Sequence, residues 1–309
     1  MPGLTRRRFL AGSAAAGLGL TVPLPVFADD RPMPTRPLGA TGVRVSLAGL
    51  GTAELANRKM KDAQAVAIVR RAVERGIGYI DTAPSYQRGH SERCIGLALG
   101  KRREKIFLAT KTLARAKQGA LRELDGSLKR LKTDHVDLWQ FHALQTRKDT
   151  DRILGEDGAL AAALEARRAG KVRFIGITGH RDPAVFVDAL KRHGAFDTLL
   201  IPLNCIDPHH RSFEATALPF ANSRKAGVIA MKVFCSGALV SAAGLDAADC
   251  LRYTYGLPVS TCIVGCRTEQ EVDLAAHVAR NLKPLNEKER AALWAQTKAH
   301  SPKLEWYKN

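Results

Sequence analysis

Aromatic residues are scarce, 6% of a 309-residue chain, so any core must be built chiefly from aliphatic side chains. Acids are outnumbered, 30 Asp and Glu against 48 Lys and Arg, leaving a formal charge of +18. Neither an arginine-rich arm nor a run of stacking aromatics accompanies that basicity. Nucleic acid is therefore not an expected partner, and a solvated basic surface or a phosphorylated cofactor accounts for the charge. None of the six cysteines (Cys94, Cys205, Cys235, Cys250, Cys262 and Cys266) belongs to a CxxC pair. Cys262 and Cys266 are four apart, with no second pair or nearby histidine to complete a zinc or iron–sulfur site, so no metal is expected. The cysteines read as buried small hydrophobes, although an oxidising compartment would permit a disulfide that sequence cannot pair. What remains, 45% hydrophobic and 25% charged residues, is the composition of a folded globular chain.

Residues 1–28 carry three arginines and no acid. Thr5-Arg6-Arg7-Arg8-Phe9-Leu10 is a twin-arginine sequence, Ala11 to Phe27 is uncharged and rich in Ala, Gly and Leu, and Val26-Phe27-Ala28 offers a small-x-small cleavage site. A basic head, mild apolar middle and small-residue exit describe a twin-arginine signal peptide. The apolar part is too short and glycine-rich for a lasting membrane span, and no cysteine offers a lipid anchor there. The expected location is periplasmic or otherwise exported, with the twin-arginine export machinery as a partner. Residues 29–37 read as a charged, proline-rich linker, and 38–309 as one domain.

Within that domain Gly39-Ala40-Thr41-Gly42, followed by Val43 and Val45, predicts a short hairpin. Eight short apolar runs follow: Leu47–Leu50, Tyr79–Ile80, Ile106–Ala109, Val136–Gln140, Phe174–Ile177, Thr198–Ile201, Val228–Met231 and Thr261–Val264. Between them lie helical faces such as Leu121, Leu124, Leu128 and Leu131, or Val66, Val69 and Val73. Gly76, Gly170, Gly194 and Gly227 stand between helical stretches and strands, as helix-ending glycines do. Eight alternations over about 270 residues fit a closed (β/α)₈ TIM barrel with an N-terminal hairpin and a C-terminal helix from about Glu287 to Ala299. A doubly wound nucleotide-binding sheet would need a third glycine after Gly49-Leu50-Gly51, and Thr52-Ala53-Glu54-Leu55 does not supply it.

The chemistry-bearing residues fall at strand ends. Asp81, Lys111 and His142 close successive strands, and Tyr86 lies in the loop after the first of them. In a barrel these ends share one mouth, where active sites form. A free tyrosine is a poor acid at neutrality; an adjacent ammonium, Lys111, would lower its pKa, and Asp81 would keep that ammonium charged. His142 can donate to a substrate carbonyl oxygen.

These residues sit in longer motifs. Gly78-Tyr79-Ile80-Asp81-Thr82-Ala83-Pro84-Ser85-Tyr86 with Ser91-Glu92 and Gly96, then Ala109-Thr110-Lys111-Thr112, then Asp134 through His142, resemble in order and spacing the aldo-keto reductase superfamily. That resemblance covers about residues 36–280. It implies an oxidoreductase passing a hydride between a nicotinamide cofactor, extended over the barrel mouth, and a carbonyl or alcohol, with Tyr86 as general acid. Exported relatives can carry an iron–sulfur tail, and this chain has none. The resemblance assigns Gly51 and Thr52 to the nicotinamide side, with Asp81 also near the cofactor, and Thr178 to the carboxamide. Gly265, Arg267 and Thr268 would hold the adenosine phosphate, a guanidinium and a hydroxyl at a helix N-terminus suiting a dianion and favouring NADP(H) over NAD(H).

Four positions depart from the family pattern. Gly179 replaces a carboxamide-binding asparagine in Ile175-Gly176-Ile177-Thr178-Gly179-His180. Leu200 replaces a glutamine, for which Asn204 is the expected substitute. Lys232 stands where an aromatic stacks on the nicotinamide: an ammonium there would favour the reduced ring electrostatically, or else meet the pyrophosphate or water. Glu271 stands where adenine is usually met by arginine or glutamine, which leaves NAD(H) open. The alternative function is a cofactor-binding redox sensor or regulatory subunit without steady turnover. A metal-dependent barrel hydrolase would need clustered carboxylates and histidines at strand ends, and adjacent His209-His210 reads as loop.

Overall fold

A computed structural model describes residues 31–56 and 60–309; the signal sequence read over 1–28 lies outside the described residues. Two short antiparallel strands, β1 (Thr35–Pro37) and β2 (Arg44–Ser46), precede the barrel. The eight barrel strands are β3 (Ala48–Gly51), β4 (Tyr79–Asp81), β5 (Phe107–Thr112), β6 (Val136–Phe141), β7 (Val172–Thr178), β8 (Thr198–Pro202), β9 (Gly227–Met231) and β10 (Thr261–Gly265). Each pairs in parallel with its neighbour in sequence, and β10 closes on β3. The chain is thus the closed (β/α)₈ barrel that eight apolar runs predict, since strands covered on both faces must be apolar throughout.

The helices that position the site are α1 (Asp62–Glu74), α2 (His90–Leu99) and α3 (Lys117–Leu131). After them come α4 (Arg147–Leu154), α5 (Ala159–Arg168), α6 (Pro183–Arg192), α7 (Ala217–Ser223), α8 (Ala238–Ser241), α9 (Ala247–Gly256), α10 (Glu269–Arg280) and α11 (Glu287–Lys298). Their apolar faces, among them Ile68, Val69 and Ala72 of α1 and Leu124, Leu128 and Leu131 of α3, are buried against the outside of the strands. A separate cluster fills the barrel interior: Tyr79, Phe107, Leu138, Leu200, Ile229 and Ile263, with Leu38 and Val45 of the hairpin sealing its lower end.

The hairpin sits hard against the barrel floor. Gly39 has φ +54, and a Cβ there would lie 2.3 Å from the Gly227 nitrogen, so only glycine fits. Gly227 opens β9 beneath Leu38 and does not end a helix. Residues 35–37, expected in a linker, form β1 because Arg36 donates to the carbonyls of Tyr255, Leu257 and Val259. That ties the strand to the segment ahead of β10 despite Pro37 within it.

The tail after α11, polar in composition apart from Leu304, Trp306 and Tyr307, is packed into the fold. A 3₁₀ turn, Lys303–Lys308, buries Leu304, Glu305, Tyr307 and Lys308. Among the described residues no helix is long and apolar enough to cross a membrane.

Candidate active site

Parallel register brings the strand ends to one mouth: Gly51 lies beside Asp81, Asp81 beside Ala109, and Lys111 beside Gln140. The Lys111 ammonium donates to the Asp81 carboxylate, to the Thr82 carbonyl at 2.8 Å, and to Tyr86 Oη at 3.3 Å. Gln140 Nε2 donates to the second Asp81 oxygen at 2.8 Å. Asp81, Lys111 and Gln140 are buried, and a buried charge pair persists only when its remaining hydrogen-bond capacity is met this way. His142 packs edge-on against Tyr86, ring centroids 6.0 Å apart. Behind the Tyr86 loop, Ser91 bridges Thr52 (2.7 Å) and Thr82 (2.9 Å), while Glu92 joins Thr110 (2.7 Å) to Arg130 (2.7 Å). The Ser91-Glu92 dipeptide therefore frames the loop from outside.

Electrostatics corrects one expectation. Burial raises the Tyr86 phenol above its ordinary value and outweighs the opposing pull of Lys111, so the lysine does not lower the pKa on balance. The reason is that phenolate loses hydration which one ammonium, shared with Asp81, does not restore. Burial works against charge on Lys111 as well, but Asp81 and Tyr86 beside it prevail and hold the ammonium above its usual range. His142 is held well below the usual imidazole range by burial, then by Lys111, His180 and Arg115. It is a neutral donor at physiological pH.

His180 also lines the mouth, lowered to about 4 by burial with help from Lys232 and Lys111. The unfolded chain protonates this histidine near pH 6.5 and the folded chain only near 4. Stability is therefore unaffected above pH 6.5 and falls as pH drops through that window, by at most about 3 kcal/mol from this group. His180→Gln should flatten this acid limb in urea melts taken at several pH values; an identical limb in the variant would remove His180 as its source.

Tyr86, His142 and Asp81 form one end of a cleft of about 400 Å³ that runs across the mouth past Lys232 and Phe234 to Gly265, Arg267 and Glu271. Gly51 and Thr52 line it as well. Cys235, Ser236 and Gly237 hold three consecutive positive φ angles, in a turn whose Cys235 and Gly237 amides donate to the Lys232 and Phe234 carbonyls. Nothing lies within 4 Å of where a Cβ of Gly237 would stand. An extended dinucleotide fits these features: a donor-rich reacting end, an uncrowded turn midway with the Lys232 ammonium beside it, and a guanidinium at the far end.

The expected cofactor residues divide. Gly51, Thr52, Asp81, Lys232, Gly265, Arg267 and Glu271 line the cleft, whereas Thr178, Asn204 and Thr268 do not. Asn204 is fully buried, donating to the Lys232 carbonyl and Tyr307 Oη and accepting from the Ile206 and Asp207 amides. Its amide is spent inside the protein, so it does not substitute for the missing glutamine. Leu200 points into the barrel core. Thr178 is buried, and its carbonyl accepts from the Leu144 amide. Gly179 is explained by a close approach, since a Cβ there would meet the Leu144 carbonyl oxygen at 2.4 Å. Thr268 caps α10 by accepting from the Glu271 amide.

Lys232 is held at the rim by the C-terminal tail, its ammonium 5.3 Å from the Trp306 ring and 5.9 Å from the Tyr307 ring, cation–π distances. Burial lowers its pKa against the opposing influence of Glu54. Glu54 also accepts from Arg267 Nε at 2.7 Å, bridging the loops after β3 and β10, and Glu271 accepts from the Arg267 amide at 2.6 Å. Glu54, Gln140, His180 and Phe234 were not read as site residues from sequence. Only Gln140 and His180 had a signal, each lying inside a strand-end motif already singled out. All six cysteines are buried and free.

The family model for the aldo/keto reductase family matches residues 48–250, more than half of the chain. The chain belongs to the aldo/keto reductase family. It is 29% identical over 214 residues to the aldo-keto reductase YhdN of Bacillus subtilis, a match spanning 64% of this chain and 61% of that protein. The match thus spans less than two thirds of that relative's length. An aldo-keto reductase from Bacillus halodurans, in its holo form, superposes with TM-score 0.74 at 25% identity, over 90% of this chain and 100% of the other. An aldo-keto reductase from Klebsiella pneumoniae in complex with NADPH superposes with TM-score 0.72 at 21% identity, over 87% and 96% of the two chains; that likeness speaks for the aldo/keto reductase fold alone.

Proposed function

We propose that this aldo/keto reductase transfers hydride from a nicotinamide dinucleotide, NADPH in preference to NADH, to small carbonyl compounds. The observation that carries this reading is the buried Asp81–Lys111 pair bonded to a half-buried Tyr86, with neutral His142 beside it, at one end of a cleft whose other end holds Arg267. The dinucleotide, when bound, supplies the hydride. Tyr86 Oη and His142 converge on the position of a carbonyl oxygen and polarise it. Tyr86 passes its proton to the alkoxide, and Lys111, kept charged by Asp81, stabilises the phenolate left behind. Arg267 commits Nε to Glu54, and its two terminal nitrogens are the part of the fork that would face a 2′-phosphate.

Export in folded form through the twin-arginine route, with cleavage after Ala28, belongs to the same proposal and rests on residues 5–28. The decisive experiment is titration of purified protein with NADPH and NADH by fluorescence, followed by oxidation of the bound cofactor with short aldehydes and quinones. Tighter binding of NADPH and aldehyde-dependent oxidation are expected. Binding with no oxidation across the panel would sink the reductase reading.

A further inference from the structure

We propose that Asp62, His90 and Cys94 form a binding site for one divalent transition-metal ion of the zinc class, on the outer side of the barrel and distinct from the catalytic cleft. His90 and Cys94 lie four residues apart at the start of α2, which places both on one helix face. Asp62 opens α1, packed alongside. One carboxylate oxygen, one imidazole nitrogen and one thiol sulfur therefore meet, all within 4.8 Å of one another. None of the three lines the cleft or touches the Asp81–Lys111–Tyr86 chain.

The Cys94 thiol is within hydrogen-bond reach of His90, but Asp62 stands off at a separation that suits a shared cation better than a direct bond. His90 Nε2 lies 3.6 Å from Asp62 Oδ1 and 3.6 Å from Cys94 Sγ. A nitrogen–oxygen separation of that length is too long for a direct hydrogen bond. A single ring nitrogen, moreover, cannot serve both partners, whereas a relay would use the two nitrogens of the ring separately. Ligands about 2.0–2.3 Å from a tetrahedral ion stand about 3.3–3.7 Å from each other, which is the spacing observed on both measured edges.

The donor set is also selective. Imidazole, thiolate and one carboxylate suit zinc and its borderline neighbours, not magnesium or calcium, which take oxygen donors. Binding would displace the Cys94 thiol proton to solvent, and the thiolate and carboxylate together would neutralise the ion's two charges. Asp62 is exposed and His90 only partly buried, so an ion can enter from solvent, and the fourth position is left to water.

The site has a structural reach. α2 also carries Ser91 and Glu92, whose hydrogen bonds to Thr52, Thr82 and Thr110 frame the Tyr86 loop. An ion joining α1 to α2 would fasten that frame from behind.

The test uses untagged full-length protein, stripped with chelator and titrated with Co²⁺ as a spectroscopic stand-in for Zn²⁺. One equivalent should produce visible tetrahedral bands and a near-ultraviolet thiolate-to-cobalt band, both displaced by Zn²⁺. Zn²⁺ should raise the melting temperature, because it binds the folded chain. Cys94→Ser should abolish the thiolate band, and His90→Ala should weaken Co²⁺ binding by about tenfold or more. Asp62→Asn alters an exposed side chain, leaves the fold intact and should also weaken binding. No cobalt spectrum from the wild-type protein overturns the proposal, as does a thiolate band that survives in Cys94→Ser. Should Cys94→Ser and His90→Ala fail to fold, unchanged Co²⁺ affinity in Asp62→Asn overturns it equally.

Discussion

Tyr86→Phe is expected to lower kcat/KM for carbonyl reduction by about 10²–10⁴-fold, the usual contribution of a positioned general acid, while leaving NADPH affinity unchanged. The substitution removes one oxygen and keeps the ring that packs edge-on against His142. Lys111 loses one acceptor but retains Asp81 and the Thr82 carbonyl, so the fold should not suffer. Because burial holds the phenol above its ordinary value in spite of Lys111, Tyr86 stays protonated through neutrality. A free alkoxide is a far stronger base than phenolate, so proton donation remains downhill. Carbonyl reduction should hold a plateau through neutral pH and decline only on the alkaline side of the ordinary tyrosine value of 10.0. Alcohol oxidation needs the phenolate and should rise over the same alkaline range. Steady-state pH profiles in both directions, with stopped-flow measurement of NADPH binding, read all of this. Retention of more than about a tenth of wild-type activity in Tyr86→Phe would exclude it as the general acid.

How much of this was legible in the chain depends on how locally each feature is encoded. The barrel was legible because strand, helix and turn signals lie within a few residues of one another. Asp81, Lys111 and His142 were legible because a barrel carries strand ends to one mouth whatever the loops do. The cofactor wall was less so. Asn204 lies in the right part of the chain, but its amide is consumed by Lys232, Tyr307 and two backbone amides, a destination set by the tail a hundred residues later. Gly179 reads as a missing asparagine and is in fact the only residue that clears the Leu144 carbonyl. His90 and Cys94 stand four apart in the sequence but were not read as a pair, because Asp62, which the fold sets beside them, belongs to another helix. Contacts between distant segments leave no local pattern, and the tail is the extreme instance: its charged residues suggest a solvated end.

That tail carries the prediction with the largest effect on stability. Lys308→Met is expected to destabilise the protein by about 3–5 kcal/mol, the cost of leaving buried charge without its partner. Lys308 is fully buried, and its ammonium lies 2.7 Å from Asp207 Oδ1, 2.6 Å from Glu305 Oε1 and 2.6 Å from the His210 carbonyl oxygen. Asp207 keeps other donors, namely Ser212 Oγ and the Phe213 and Glu214 amides, so it would survive the loss comparatively well. Glu305 would not: its other oxygen has only Ser301, and its carboxylate would have to protonate or pull the turn open. The double variant Lys308→Met with Glu305→Gln should therefore recover part of the loss, since it removes the stranded charge along with its partner. Opening the turn would also release Trp306 and Tyr307 from Lys232 and Asn204, so Lys308→Met should weaken cofactor binding even where the protein remains folded. Urea melts of the single and double variants, paired with NADPH titration, separate the two effects. A single variant within about 1 kcal/mol of wild type would show that the buried triad contributes little net stability, and that Leu304 and Tyr307 alone hold the tail against the cleft.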